Sequence, residues 1–459
     1  MNTHQAIKIA ERNDAAVRTD TAGSEAGMTV GDHKDTVTLC VDHLCRLLSE
    51  APTGVLARTS PHTIFRIPQP LRGINPKAEE PEIVSIGPYH RGRPQVLEFE
   101  QYKLLFLKRL IQRTHLDLKR LTRVVVDQES SARTRYSEDV VMELPDFVVM
   151  MVLDGCFVIE ILLHIFKSGD QTGKDDPIFT HDQVMPLLIG DLLKLENQIP
   201  YSLLQSLFDA SISSELIGET DTLATLALKL FDLAYPRPMG RIKSCGNLQC
   251  EHLLDLFYLS LYPTSGVHPN HAVEHRPLAQ SVLCVTELRP SGINFKSRRD
   301  ADSLLDISFQ KPSLQIPDIP INDFMTTVLI NCVSLEQCRE NRSKYMTDYV
   351  YFMHCLINQP KDVSLLRSDG IITPISHDDQ YVADLFNKLG RSIPFNDHDC
   401  FLSKQFEELE SYYRSNWANM MRTYFSSPWS FISASSAFVV IGLTITQVAI
   451  AMLAHCSHH

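Results

Sequence analysis

The chain has 459 residues, 44% of them hydrophobic, and a formal net charge of −12. That length is ample for a buried core in one to three domains. The acidic balance argues against a body built to grip phosphates, so no nucleic-acid partner is expected. Eleven cysteines, an odd number scattered along the chain, do not read as a disulfide framework.

Residues 1–35 are polar and aperiodic and read as a flexible tail without the apolar run of a signal peptide. From Thr36, Val37, Val41, Leu44 and Leu48 share a helical face, ended by Ala51-Pro52-Thr53-Gly54. Residues 64–93 carry prolines at 68, 70, 76, 81 and 88, which forbid a continuous helix. Ile83–Ile86 suits a short extended segment turned by Gly87-Pro88. Leu97 to about Arg123 reads as one amphipathic helix with Leu104, Leu107 and Ile111 inward. Its cations, Lys103, Lys108, Arg109, Arg113, Lys119, Arg120 and Arg123, read as a solvated face, with anionic lipid the alternative partner.

Asp146–Phe166 is almost wholly apolar but carries Asp154, Glu160 and His164. A carboxylate mid-membrane costs about 2.5–3.5 kcal/mol, so a helix buried inside the body is expected there. Short helices follow at Leu187–Glu196, Tyr201–Phe208, Asp221–Leu233 (N-capped by Asp221) and Glu251–Leu261. The Pro-, Gly- and His-rich stretch 234–280 is the candidate boundary between two lobes, which could still share one core. Between Ser281 and Ile321, β-prone runs at Ile293–Lys296, Leu305–Phe309 and Ser313–Ile316 alternate with turns. Helices resume at Asp323–Arg339, Lys344–Ile357, Asp379–Leu389 and Ser403–Tyr424. The expected fold class is mainly α with a small β-rich segment (α+β), the body running over 36–425.

Residues 429–454 contain no Asp, Glu, Lys or Arg. A helix of that length reaches about 39 Å, enough to cross a bilayer core, and Trp429 suits an interface. Polar Ser433, Ser435, Ser436, Thr444, Thr446 and Gln447 keep a buried core helix as the alternative. The expectation is a single transmembrane anchor with a short tail at 455–459. Arg414 and Arg422 before the span favour a cytosolic body at the plasma membrane. The sequon Asn341-Arg342-Ser343 points the other way, to a glycosylated lumenal body.

The common phosphate-binding, dinucleotide, zinc-protease and serine-nucleophile motifs are absent, so no catalytic residue, cofactor or metal is expected. His268, His271 and His275 beside Glu274 have spacing compatible with zinc or copper, but a solvated loop is the favoured reading. Cys245 and Cys250 stand wider apart than a Cys-x-x-Cys pair. Glu160 and His164, one helical turn apart, could form a general base; a buried polar pair is favoured. The loop 64–93 is the candidate recognition surface, through Asn75, Pro76, Tyr89, His90 and Arg91, because proline-fixed turns lose little entropy on binding. The weightier reading of the same loop is a scaffold wrap packed on the body.

The loop's proline, Leu-Arg, Asn-Pro and Val-Ser-Ile-Gly-Pro-Tyr-His pattern resembles the opening signature of the plant family called domain of unknown function 247. Further blocks resemble it in order: Met150–Glu160, Asp191–Pro200, Thr286–Lys296, Leu335–Cys338, Asp362–Leu366, and Tyr424 through Gln447. Glu79 and Arg91 depart from the usual pattern. The resemblance implies a membrane-associated, mostly helical plant protein with no accepted catalytic residue; certain grass members act as pollen-side self-incompatibility factors. The expected function is therefore non-enzymatic recognition or signalling through a protein partner or secreted peptide ligand. An enzyme built around Glu160 and His164, or a plasma-membrane scaffold, is the alternative.

Overall fold

Five prolines leave residues 64–93 without any long element: the computed structural model has there only a 3-10 turn, Gln69–Leu71, and α1 (Pro76–Glu79). The described residues are 41–43, 46, 62–167, 184–212, 221–237, 239–246, 248–262, 284–339, 344–374, 378–394, 400–424 and 428–456. The chain divides into two units, Met1–Thr59 and Ser60–His459. In the first, residues 41–43 and 46 are helical and exposed, while Val37, Leu44 and Leu48 lie outside the described residues. All elements named below belong to the second unit.

The expected helix Leu97–Arg123 is two helices, α2 (Leu97–Thr114) and α3 (Leu118–Arg133). His115 breaks them with a left-handed φ of 52°, and Asp117 restarts the chain by accepting the Lys119 N–H. The inward face of α2 is Phe99, Lys103, Phe106 and Leu110, whereas Leu104 is 59% exposed. Two forces shift the face. Phe99 and Phe106 pack on Phe157 with ring centroids 5.9 and 5.2 Å away, and Lys103 follows them inward to a buried carboxylate. Lys103, at 0% exposure, therefore leaves the solvated basic face expected of it.

α4 (Leu144–Lys167) is the core helix that its carboxylates imply: of its apolar stretch Leu144–Ile165, all of Met150–Leu163 is buried. α2, α3 and α6 (Tyr201–Ser211) pack around it, as does α7 (Leu223–Phe231). Before them, α5 (Val184–Leu192) stops early, so Leu193–Ile199 is a loop rather than helix. Thr222, not Asp221, caps α7; Asp221 instead pairs with Lys229 at 2.8 Å. α8 (Met239–Ser244), α9 (Leu253–Ser260) and α10 (Val285–Leu288) lead to the small sheet.

That sheet has order β1 (Asn294–Ser297), β3 (Ser313–Ile316), β2 (Ser308–Gln310). β1 runs parallel to β3 with Phe295 beside Leu314, and β2 runs antiparallel to it. A second, two-stranded sheet pairs β4 (Ile319–Ile321) in parallel with β5 (Ile372–Pro374), which the sequence patterning had not marked. The remaining helices are α11 (Asp323–Cys338), α12 (Tyr345–Leu356), α13 (Pro360–Ser368) and α14 (Asp379–Ser392). The expected Ser403–Tyr424 helix is split into α15 (Ser403–Tyr413) and α16 (Asn416–Tyr424). One apolar cluster runs from Ile64 to Leu409, drawing on residues from both sides of 234–280. α17 (Pro428–Cys456) stands apart from it, with none of Ser435–Leu453 buried, and is a candidate membrane span.

Candidate functional site

An irregular loop must send its backbone N–H groups somewhere, because each one buried without a partner is costly. In residues 64–93 they go to side chains in the last turn of α5 and just after it. The buried Asp191 carboxylate accepts the N–H groups of Glu82 and Ile83, each at 2.8 Å, and of Val84 at 2.9 Å. Lys194 neutralises Asp191 at 2.9 Å and donates to the Glu80 carbonyl at 2.6 Å. Asn197 accepts from the Ile86 N–H at 2.6 Å and donates to the Val84 carbonyl at 3.0 Å. Glu196 accepts the Ile67 N–H at 2.9 Å and holds Arg66 and Arg72 at 2.7 and 2.6 Å.

Two further helices complete the clasp. From α4, Asp154 accepts the Gly87 N–H at 2.8 Å and pairs with Lys103 at 2.6 Å. From α11, Asn331 donates to the Ala78 carbonyl and accepts the Leu195 N–H, both at 2.8 Å. Gly87 has φ +78°, and a Cβ there would collide with the Gln198 carbonyl oxygen. The same device recurs at the later motif blocks. Asp362 accepts the N–H groups of Thr286, Asn358 and Gln359, and Glu336 accepts those of Met346 and Thr347 at the start of α12.

Among the candidate recognition residues, Pro76 is exposed at the start of α1. Asn75 accepts the Lys77 N–H and donates to Tyr381 Oη at 3.1 Å. Tyr89 is half-buried between Arg66, 3.9 Å over its ring, and Tyr136. Arg91 is half-buried, 4.0 Å from Glu100. His90 is 1% exposed and lies beneath the loop surface. Its Nε2 sits 3.5 Å from Glu196, but burial, Arg93 and Arg66 push the imidazole down to about 3, so the ring is neutral and forms no ion pair. The structure thus joins Asn75–Pro76 and Tyr89–Arg91 to one clasped loop, with His90 facing inward. Asn341 and the cluster His268, His271, Glu274 and His275 lie outside the described residues.

Glu160 is buried and pairs with Arg113 of α2 at 2.7 Å. Burial pushes Cys250 and Cys338 thiols up, Cys338 to about 11, away from the reactive thiolate. No group of three metal-ligating side chains occurs among the described residues. A cavity of about 470 Å³ is lined by Tyr235, Arg237, Arg298, Arg299, Asp302 and Asp318. Arg237 is held by Asp232 and Arg298 by Asp306, so these two cations are already matched by carboxylates. Sequence reasoning did not assign the anchors Asp191, Glu196 and Asn197. The available signal was the density of polar residues at 191, 194, 196, 197 and 198 among leucines, too crowded for all five to share one helical face.

The chain is 32% identical over 419 residues to the UPF0481 protein At3g47200 of Arabidopsis thaliana, covering 85% of this chain and 86% of the relative. It is 21% identical over 488 residues to the putative UPF0481 protein At3g02645 of the same plant, covering 84% and 89%. No solved structure matches it. Residues 64–443, from the clasped loop into α17, match the family model described as plant protein of unknown function, and the chain belongs to that family, domain of unknown function 247.

Proposed function

We propose that this protein is a membrane-anchored, non-enzymatic recognition or signalling protein that works through a protein partner. The observation carrying the reading is the clasped loop. Buried anchors hold its backbone rigid while Arg72, Pro76 and Lys77 remain exposed and Arg91 half-exposed. A preorganised surface of this kind binds with little ordering cost. α17 supplies the membrane attachment through the candidate span within 429–454. Eight described cysteines, all free, suit a body on the reducing, cytosolic side of the plasma membrane.

The test is a charge reversal of the loop surface, K77E with R91E, in the full chain. Proximity labelling in plant membranes is expected to lose specific neighbours while circular dichroism stays that of wild type. An unchanged set of neighbours overturns the reading. The sidedness is read separately: protease added to intact microsomes is expected to digest the body without detergent. The narrower role, a pollen-side self-recognition determinant, requires expression confined to male reproductive tissue, and broad expression excludes it.

A further inference from the structure

α16 carries an apolar face that the body does not use. Trp417 is 57% and Tyr424 53% exposed, and half-buried Met420 lies between them. Positions 417, 420 and 424 follow the i, i+3, i+7 spacing of one helical face. The other side of α16 is fixed to the body: Ala418 is buried, and Arg422 donates to Ser291 Oγ at 2.9 Å and lies 3.9 Å over the Tyr413 ring. Met421, flanking the aromatic face, packs beside Gly292. So the aromatic face is held outward on a docked helix.

The chain leaves little freedom over what lies near that face. From Tyr424 to Pro428, the first residue of α17, there are four backbone steps. Fully extended, they reach about 14 Å. If α17 crosses the bilayer, Pro428 and Trp429 sit at its edge. The headgroup layer beyond the hydrocarbon is about 5–8 Å deep. Tyr424 is then within reach of that layer, and Trp417 is about 10 Å further along the helix axis. Tyr and Trp favour this boundary, where the ring is in apolar surroundings and its N–H or O–H meets water.

We infer that α16 is an interfacial foot: Trp417 and Tyr424 seat in the lipid headgroup region of the membrane that α17 crosses. The inference rests on the membrane-anchor part of the proposed function and goes beyond it. It fixes the orientation of the body. α16 is docked on the Arg289–Ser291 turn and α15 packs on β2, so the end of the body bearing the three-stranded sheet faces the bilayer.

The chain's only tryptophans are Trp417 and Trp429, which makes the test direct. The full-length W429F protein has Trp417 as its sole indole, and W417F has Trp429. Each is placed in phosphatidylcholine–phosphatidylserine nanodiscs with nitroxide lipids labelled near the headgroup or at the bilayer centre, and separately with aqueous iodide. Trp417 is expected to lose most of its emission to the shallow nitroxide, little to the deep one, and to be shielded from iodide. If Trp429 is quenched by lipid while Trp417 is not, the foot is overturned and the anchor stands. If neither indole is quenched, α17 is not in the bilayer and both ideas fall. Shielding of Trp417 from iodide without nitroxide quenching would mean that protein covers it, which also overturns the inference.

Discussion

Asp191 shows how one side chain governs a loop 109 residues away in sequence. Changing Asp191 to Ala would leave three backbone N–H groups and Lys194 without their carboxylate. Urea unfolding is expected to show a loss of about 3–5 kcal/mol, the scale for breaking a buried ion pair. Asp348 makes the case for pH. It is buried near Glu336, and burial pushes its carboxyl up to about 8. The folded chain therefore keeps a proton that the unfolded chain, with an ordinary carboxyl near 4, has released. Stability is full below that lower value and falls as pH rises toward 8. His90 and His252, held neutral by burial and pushed down to about 3 and 4, act oppositely below about 6.5, where the unfolded imidazoles charge. Above that point the histidines are silent. The melting temperature of the solubilised chain is expected to fall between pH 6.5 and 8, and D348N to flatten the decline.

For α2, the sequence wheel and the fold disagree about which face turns inward, and a pair of substitutions separates them. Phe106 is buried against Phe157, so Phe106→Ala should cost about 3–5 kcal/mol. Leu104 is exposed, so Leu104→Glu should stay within about 0.5 kcal/mol. If Leu104 pointed inward as its spacing suggested, the charge would be the more damaging change. The turn at Gly87 offers a second check. With a positive φ and the Gln198 carbonyl oxygen where a Cβ would stand, Gly87→Ala should destabilise by about 1–3 kcal/mol without altering helix content. Equal stability of wild type and variant would mean that the loop is not clasped there.

Across the molecule, the family blocks meet in space: the opening loop is tied to the blocks around Asp154 and Asp191, and Thr286 is tied to Asp362. They act first as latches of the fold, and the loop surface proposed for recognition is what those latches hold in place. α17 is a separate matter, because nothing in the body covers Ser435–Leu453. A chain ending at Tyr424 is expected to leave the carbonate-washed membrane pellet for the supernatant. Retention in the pellet would show an attachment other than α17.

Local pattern alone determined several features. β3 has the expected bounds, Ser313–Ile316, and α11 ends one residue short of its expected limit, because alternation and helical spacing are short-range signals. The burial of α4 followed from the carboxylates inside its apolar run, and the exposed apolar α17 from a charge-free stretch long enough to cross a bilayer. The order of the motif blocks was enough to name the family. Only the tertiary structure decided the inward turn of Lys103 and His90, the stop of α5 before Leu193, and the pairing of β4 with β5. Each depends on a partner far along the chain: Asp154 for Lys103, the loop backbone for Asp191, Ile372 for Ile319. A buried polar group takes its position from whatever satisfies it, and spacing within its own segment carries no record of that partner.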